Sequence, residues 1–304
     1  MNMAIHPEIQ KLIIQIRDDT EHGASELARR ALKLLEKSIE FSGAINIKAF
    51  IEEQQEVASA LMDVRPSMVA VRNAVYQATK EIPAQQDLLS TKTYLVSKLE
   101  ELISSSERAV CRIASLANEL ILKPGDRIFT HSYSSTVVAA LENAHARSSF
   151  RVFVTRSGAG NSGLRTVRSL TSAGIPVVYL DDTAVGLYCR QSDKVILGAD
   201  RICADGSLVN GIGTYQVALI AWHNGIPVYV LCENLKIDCE HKGDEVPLEE
   251  KDPSEVLNPG QVRGSITVKN PYFDVTPLKF ITGILTENGL VEKQDLLPYI
   301  RQIC

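Results

Sequence analysis

The stretch that decides the fold is Lys123–Gly163, KPGDRIFTHSYSSTVVAALENAHARSSFRVFVTRSGAGNSG. It begins with Lys-Pro-Gly-Asp, a composition typical of a tight turn. Two short apolar runs, Arg127–Thr130 and Arg151–Thr155, then enclose a helix-like segment over 135–147. A strand, a helix and a second strand in this order predict a βαβ unit with two parallel strands.

The same alternation continues towards the C-terminus. Further strand-like runs and helix-like segments follow one another at Val177–Leu180, Lys194–Leu197 and Val228–Leu231, and at 162–173, 183–190 and 213–224. Two of the connections end in Gly-Ile-Pro-Val, where the glycine closes a helix and the proline marks the entry to a strand. The pattern predicts an α/β domain over 123–304, with a Rossmann-like parallel sheet covered by helices on both faces.

The N-terminal part, residues 1–122, is predicted to be a helical domain. Apolar residues recur at helical spacing at Leu27, Ala31 and Leu34, again over Ile47–Met62, and along a long segment from about 87 to 121. Pro66 and Pro83 separate these helices. The predicted architecture is therefore a helical N-terminal domain followed by the α/β domain.

Two C-terminal segments each allow two interpretations. The polar stretch Glu240–Gln261 contains three prolines and is predicted to be a long surface loop, for which a ligand-binding role and a dimer arm fit equally well. We expect helices after Pro277, where Ile281, Ile284 and Leu285 form an apolar stripe. This stripe suits either core packing or a dimer interface.

Composition excludes several classes of protein. The net charge is −5 with a pI near 5.8, so no basic surface for direct DNA binding is expected. The sequence has no long apolar run for a membrane span and no signal peptide, which indicates a cytoplasmic protein. Its six cysteines form no CxxC pair, so we expect them to be reduced, with no bound metal and no cofactor.

Polar residues follow every predicted strand, and ligands bind at this edge of open α/β sheets. Asp200 comes directly after Gly198-Ala199, where a partly desolvated carboxylate would suit proton transfer. Alternatively, Asp200 could cap a helix or form an ion pair with Arg201. His131 suits a general base or, equally, a buried structural histidine.

Three further features suit a phosphorylated ligand. The glycine-rich loop over 156–163 opens a helix, so its N–H groups could bind an anion or simply form a tight turn. Asn210 and the residues up to Thr214 could bind sugar hydroxyls, or this segment could simply cap the next helix through Thr214. Lys236 could pair with a phosphate or remain solvated.

Several longer motifs carry a family resemblance. They are Thr130-His131, Gly198-Ala199-Asp200-Arg201-Ile202, Asn210 with Ile212-Gly213-Thr214, Val246-Pro247-Leu248-Glu249-Glu250-Lys251-Asp252-Pro253 and Asn270-Pro271-Tyr272-Phe273-Asp274-Val275-Thr276-Pro277. With Gly23-Ala24 and Arg65-Pro66, they make the chain resemble the family of the alpha, beta and delta subunits of translation initiation factor 2B. That family also includes isomerases of methylthioribose-1-phosphate and of ribose-1,5-bisphosphate.

The resemblance implies a set of site residues. The isomerases use a cysteine and an aspartate to open the sugar ring and to move a proton between C1 and C2. The aspartate is Asp200, the cysteine position is Ser132, and His131 precedes it. The ligand-binding positions implied are Gly23, Ala24, Arg65, Ser134, Asn210, Gly211 and Lys236.

Three positions depart together from the isomerase pattern. Ser132 replaces the cysteine, Gly211 replaces a lysine, and Arg156-Ser157-Gly158-Ala159 replaces Glu-Ser-Arg-Pro. A serine hydroxyl is a poor proton donor without an activating base. The sequence therefore favours an alpha-type regulatory subunit that binds a phosphorylated sugar or nucleotide, forms a homodimer and associates with other initiation factor subunits. The alternative is an aldose–ketose isomerase that uses Asp200.

Overall fold

The structure is a computed structural model and describes residues 5–258 and 265–304. The chain packs as two compact units, residues 1–108 and 109–304. The division falls inside a long helix, before the change of sequence texture at Lys123. The predicted architecture of a helical N-terminal part and a mostly parallel α/β part is confirmed.

The first unit is built from helices, which are α1 (Pro7–Asp18), α2 (Ala24–Glu40), α3 (Ile47–Met62), α4 (Val69–Thr79) and the first part of α5 (Leu88–Leu120). Helix α2 is central and packs against α1, α3 and α4. Its apolar stripe Leu27, Ala31 and Leu35 is fully buried, and each leucine contributes roughly 1.5–3 kcal/mol by leaving water. The two predicted breaks, Pro66 and Pro83, lie between helices as expected.

The second unit contains a seven-stranded sheet. Its strands are β1 (Arg127–Thr130), β2 (Arg151–Thr155), β3 (Val177–Leu180), β4 (Lys194–Leu197), β7 (Val228–Leu231), β9 (Gly283–Thr286) and β10 (Gly289–Glu292). The first five have the bounds predicted from the sequence. The helices between them are α6 (Ser135–His145), α7 (Ser162–Ser172), α8 (Val185–Tyr188) and α9 (Thr214–His223), and α10 (Leu296–Ile303) follows the last strand.

The strand order is β10-β9-β7-β4-β1-β2-β3, and only the β9–β10 pair is antiparallel. Successive residues of β1 point to opposite faces. Ile128 joins one apolar cluster with Leu141 of α6, whereas Phe129 joins another with Val217 of α9. Burial on both faces explains why the strands are continuous apolar runs in the sequence.

The sequence did not predict the three-stranded sheet that lies beside this layer. It consists of β5 (Arg201–Ile202), β6 (Leu208–Gly211) and β8 (Phe273–Thr276), in the order β5-β6-β8. All of its pairs are antiparallel, and Asn210 is paired in register with Asp274. Strand β5 has two residues, which is too short for a periodic signal.

The expectation of helices after Pro277 was wrong for most of that segment. Ile284 and Leu285 lie in β9, which extends the main sheet beside β7. Short apolar runs do not distinguish a strand from a helix. Gly289, at φ +133°, begins the returning strand β10, and a single helix, α10, follows.

The expectation that all six cysteines are reduced was also wrong. Cys239 and Cys304 form a disulfide, with their Cα atoms 5.6 Å apart, although 65 residues separate them in the sequence. Helix α10 packs through Leu296 and Ile300 against the main sheet, and its end then lies beside Cys239. Cys111, Cys189, Cys203 and Cys232 are free thiols.

The predicted loop Glu240–Gln261 is described as far as residue 258. It contains two 3₁₀ turns, Gly243–Glu245 and Pro253–Glu255, and a bridge from Glu250 to Pro271. Residues 259–261 lie outside the described residues. Within the described part of the chain, no helix is long and apolar enough to cross a membrane.

Candidate functional site

The candidate site lies at the carboxyl edge of the main sheet, where the strand order reverses. Strands β2 and β3 follow on one side of β1, and β4 and β7 follow on the other. Loops diverge at such a switch point and leave a crevice that binds ligands in open α/β sheets. Ser132 follows β1 and Asp200 follows β4, so the two residues flank the reversal.

Asp200 is half-buried between β4 and β5. Its backbone N–H donates to the carbonyl of Val209, which ties the end of β4 to the small sheet. The alternative of a helix cap is wrong, because no helix begins here. Arg201 forms a buried ion pair with Asp238 at 2.9 Å.

Gly198 brings the ends of β4 and β1 together. A Cβ atom at this position would lie 2.5 Å from the Ser134 hydroxyl, so only glycine allows the approach. Ser134 is the N-cap of α6 and accepts a hydrogen bond from Val137 N at 3.3 Å. The packing places the start of α6 directly against the segment that carries Asp200.

His131 is buried and has both ring nitrogens bonded. Nδ1 lies 2.6 Å from the Thr155 hydroxyl, and Nε2 lies 2.7 Å from the carbonyl oxygen of Ile212. Burial lowers the pKa of His131, while the bond to Ile212 and the charge of Asp182 oppose this shift. The ring is therefore neutral, donates from Nε2 and accepts at Nδ1, which leaves it no free nitrogen for a substrate.

Ser132 lies in a network of hydroxyl groups. Its N–H donates to the Ser157 hydroxyl at 2.6 Å, and its own hydroxyl lies 3.1 Å from that of Ser162. Ser132 and Ser157 have φ values of +66° and +69°, and Asn161 has +52°. These are the three non-glycine residues with positive φ in the described chain, and such backbone strain clusters at functional sites.

The glycine-rich loop already binds an anion of the protein. The carboxylate of Asp182 accepts hydrogen bonds from Ser157 N at 2.8 Å and from Gly158 N at 2.9 Å. These successive N–H groups form the concave anion site expected of such a loop. The sequence did not single out Asp182, since its pairing with a loop 25 residues away is a tertiary contact.

The turn after β6 packs onto the residues after β1. A Cβ at Gly211 would lie 2.6 Å from the Ser132 hydroxyl, and one at Gly213 would lie 2.7 Å from the His131 ring. Asn210 is buried, and its amide donates to the Thr214 hydroxyl at 3.0 Å. Thr214 in turn donates to the carbonyl of Gly211, so it closes this turn, while Gly213 is the N-cap of α9.

Asp274 holds the same turn from the small sheet. Its carboxylate accepts hydrogen bonds from Gly213 N at 2.7 Å and from Tyr215 N at 3.2 Å. Burial raises the pKa of Asp274 to about 6, although these N–H groups favour the charged form. The residue belongs to the Asn270–Pro277 motif, but the motif alone does not indicate an individual role for it.

Lys236 is buried on a 3₁₀ turn, Asn234–Lys236, that follows β7. Among the described residues, none forms a hydrogen bond or an ion pair with its Nζ atom. The thiol of Cys232 lies nearby. Burial raises the pKa of this thiol to about 12. The charge of Lys236 opposes this shift, and the charge of Asp200 adds to it.

The other predicted ligand positions lie in the helical unit. Gly23 is the N-cap of α2, and Ala24 is its buried first residue. Arg65 is buried and donates from Nη1 to the carbonyl of Asp19 at 2.8 Å, in the turn before α2. In the described ranges, no group of three or more His, Cys, Asp or Glu side chains is arranged to hold a metal ion.

The motifs that suggested a family are matched at the level of the whole chain. The model of the Initiation factor 2 subunit family matches residues 20–293. This chain belongs to that family.

Two similar proteins have names that describe different functions. The ribose 1,5-bisphosphate isomerase of Thermococcus kodakarensis is 30% identical over 309 residues, which cover 99% of this chain and 96% of that protein. The solved translation initiation factor eIF-2B of Pyrococcus horikoshii OT3 has a TM-score of 0.82 and 31% identity, and the match covers 94% of this chain and 98% of that one.

A second solved structure is an isomerase. The 5-methylthioribose 1-phosphate isomerase of Pyrococcus horikoshii OT3 has a TM-score of 0.80 and 26% identity, over 97% of this chain and 88% of that one. The Initiation factor 2 subunit family therefore places enzymes and initiation factors on one fold, and the local chemistry of this chain has to decide between them.

Proposed function

We propose that this chain is a sugar-phosphate aldose–ketose isomerase that uses Asp200 at the crevice between β1 and β4. The position of this half-buried carboxylate at the switch point is the observation that carries the proposal. Relatives named as ribose 1,5-bisphosphate isomerases support this reading better than the regulatory subunit that the sequence favoured first.

The proposed reaction begins with a cyclic sugar 1-phosphate. The carboxylate of Asp200 removes the proton from C2, a C1–C2 double bond forms as the bond between C1 and the ring oxygen breaks, and the ring oxygen takes a proton from a water molecule. The carboxyl group of Asp200 then delivers its proton to C1, and the C2 hydroxyl gives its proton back to water and becomes the ketone. Ser132, whose hydroxyl is bonded to that of Ser162, is the proposed hydrogen-bonding partner of the sugar.

The other predicted site residues have binding roles in this proposal. Lys236 binds phosphate, and Asn210, Gly211 and Ser134 shape the pocket. Gly23, Ala24 and Arg65 keep the ligand-binding roles that the family resemblance implies for them. His131 positions the turn after β6 through its bond to Ile212. Lys236→Ala and Arg65→Ala should each weaken a sugar phosphate by more than about 1 kcal/mol.

The decisive experiment measures turnover. The protein is incubated with ribose 1,5-bisphosphate and with 5-methylthioribose 1-phosphate, and the ketose product is followed. We expect turnover of at least one of the two sugar phosphates, and Asp200→Asn should reduce it by roughly 10²-fold or more, because the amide cannot accept a proton. Turnover that survives this substitution would remove Asp200 from the mechanism.

A second candidate function is a regulatory subunit of initiation factor type that binds a phosphorylated sugar or nucleotide without converting it. The observation that favours it is Ser132, a hydroxyl at the position of the family's thiol, with its N–H held by Ser157. Thermal stabilisation by sugar phosphates or nucleotides without any ketose product would support this candidate, because a ligand stabilises the state that it binds.

We also propose that the protein is cytoplasmic and forms a homodimer, from which contacts with other initiation factor subunits would follow. Support for self-association comes from α9, where Tyr215, Leu219 and Trp222 form an exposed apolar stripe at helical spacing. Trp222→Glu should convert a dimer into a monomer in sedimentation equilibrium. A wild-type protein that sediments as a monomer would contradict this proposal.

A further inference from the structure

We propose that the site accepts a sugar with one phosphate, bound at the Lys236 end, and rejects a second phosphate at the Asp182 end. The inference rests on the proposed sugar-phosphate site and narrows its substrate class. It separates this chain from relatives named for a bisphosphate substrate.

The cationic end of the site is Lys236. Its side chain is buried, and in the described part of the chain no hydrogen bond or ion pair engages its ammonium group. Glu287, an acidic neighbour, accepts hydrogen bonds from the backbone N–H of Asn234. A phosphate group would supply the acceptor oxygens that this ammonium group lacks in the described part of the chain.

The opposite end of the site carries a fixed negative charge. Both oxygens of the Asp182 carboxylate are used, one by Ser157 N and the other by Gly158 N. The N–H groups that would bind a second phosphate are therefore already occupied by an internal anion. Phosphate could reach them only by displacing Asp182 or by lying beside its charge.

The strand order sets the scale of the distance between the two ends. Lys236 follows β7 and the Ser157–Gly158 turn follows β2, with β4 and β1 between them. Three strand spacings of about 4.8 Å give roughly 14 Å along the sheet edge. A pentose phosphate bound at Lys236 extends along this edge, so a second phosphate on its far end would approach Asp182.

The middle of the site is polar and uncharged apart from Asp200. The hydroxyls of Ser132, Ser157 and Ser162 lie there, and His131 is neutral. Arg156 is the cation of the glycine-rich loop. It is exposed, and its charge acts to lower the pKa values of Asp181 and Tyr179. The arrangement suits a sugar whose far end has a hydroxyl or another neutral group.

Ligand pairs test the inference on the wild-type protein. Calorimetry compares ribose 1-phosphate and ribose 5-phosphate with ribose 1,5-bisphosphate. We expect at least one monophosphate to bind about tenfold or more tightly than the bisphosphate, because like charges placed together oppose binding. The gap should narrow as salt is raised. Equal or tighter binding of the bisphosphate would overturn the inference and leave the proposed function intact.

A matched pair of variants locates the effect. Asp182→Asn removes the charge but keeps an oxygen that can accept from the loop, so it should raise the affinity for the bisphosphate relative to the monophosphates. Asp181→Asn is the control, since this exposed carboxylate bonds to Thr183 and not to the loop. An unchanged ratio in a folded Asp182→Asn protein would contradict the inference.

A separate outcome concerns the site itself. If none of the three sugar phosphates binds, and Lys236→Ala behaves like the wild type, then the proposed function fails and the inference fails with it. If all three bind and Lys236→Ala weakens each of them, the site is established. The ratio between monophosphate and bisphosphate then decides the inference alone.

Discussion

At the scale of the residue, the hydrogen bonds of the site define roles that residue type leaves open. Histidine is a common general base, yet both ring nitrogens of His131 are already hydrogen-bonded, one to Thr155 and the other to Ile212. Ser132 keeps its hydroxyl near that of Ser162, and Asp200 lies on the neighbouring strand end. The carboxylate is therefore the group in this part of the site to which we assign proton transfer.

Ser132→Cys tests the chemistry at this position. A thiol with a pKa near 8.5 is a far better proton donor than a serine hydroxyl, so turnover of a sugar 1-phosphate should rise by roughly 10²-fold. Steady-state kinetics of the ketose product checks this. The matched control is Ser162→Cys, which adds a thiol to the neighbouring residue and should not raise the rate. Equal rates for Ser132→Cys and the wild type would show that the lack of a thiol at this position does not limit turnover.

Asp274 should make the stability of the protein depend on pH. Its pKa is raised from 3.8 to about 6, so the folded state binds a proton that the unfolded state releases between these values. The stabilising contribution is fully present below about pH 4 and is lost as the pH rises through 6, by roughly 3 kcal/mol.

Urea denaturation between pH 4 and pH 7 checks this contribution. Asp274→Asn should lack the part of the pH dependence that belongs to this carboxyl group, and its free energy of unfolding should fall less than that of the wild type over the range. Parallel curves for the two proteins would contradict the assignment.

At the scale of the element, close backbone contacts assemble the site. Helix α7 begins so near the end of β2 that a Cβ at Gly163 would lie 1.8 Å from the carbonyl oxygen of Thr155. Gly198 and Gly211 allow similar approaches to Ser134 and Ser132. Loops after β1, β2, β4 and β6 thus come together because glycine occupies each contact.

Gly163→Ala should destabilise the protein strongly. The added methyl group meets backbone that cannot move without separating α7 from β2, and we expect a loss of about 3 kcal/mol in the free energy of unfolding. Gly186→Ala is the control, because nothing lies within 4 Å of a Cβ there and alanine favours the helix. Similar urea midpoints for the two variants would show that α7 adapts to the methyl group.

At the scale of the whole molecule, the chain divides into a helical unit and a sheet unit, each with its own buried apolar residues. The exposed disulfide between Cys239 and Cys304 closes a long loop of the second unit. It joins the end of α10 to the segment that follows Lys236. Helix α10 is also fixed there by Tyr299, whose hydroxyl donates to Asn234 at 2.8 Å.

Removal of the disulfide should lower stability. Closing a loop over a separation of 65 residues restricts the unfolded chain and contributes about 4 kcal/mol in the chain-entropy model. Cys304→Ser should therefore unfold at a lower urea concentration than the wild type without reductant, and reduced wild type should behave like the variant. Cys111→Ser, which removes an exposed free thiol, is the control. Six titratable thiols in the unreduced protein would exclude the bond.

The sequence by itself determined the fold class and the main elements. The strands β1, β2, β3, β4 and β7 and the long N-terminal helices follow from local patterns, because burial on both faces of a sheet or on one face of a helix imposes a period on the residues. It also placed His131, Ser132, Asp200 and Lys236 after strands, which brings them to one edge of the sheet.

Only the tertiary structure decided which loops bind one another. Three contacts join segments that are 24 to 65 residues apart. Asp182 binds the Ser157–Gly158 turn, Asp274 binds the start of α9, and Cys239 is bonded to Cys304. Such contacts leave no periodic trace, since each depends on the meeting of two loops and not on the spacing within one element. The charge of Asp182, and with it the predicted preference for a single phosphate, belongs to the folded chain.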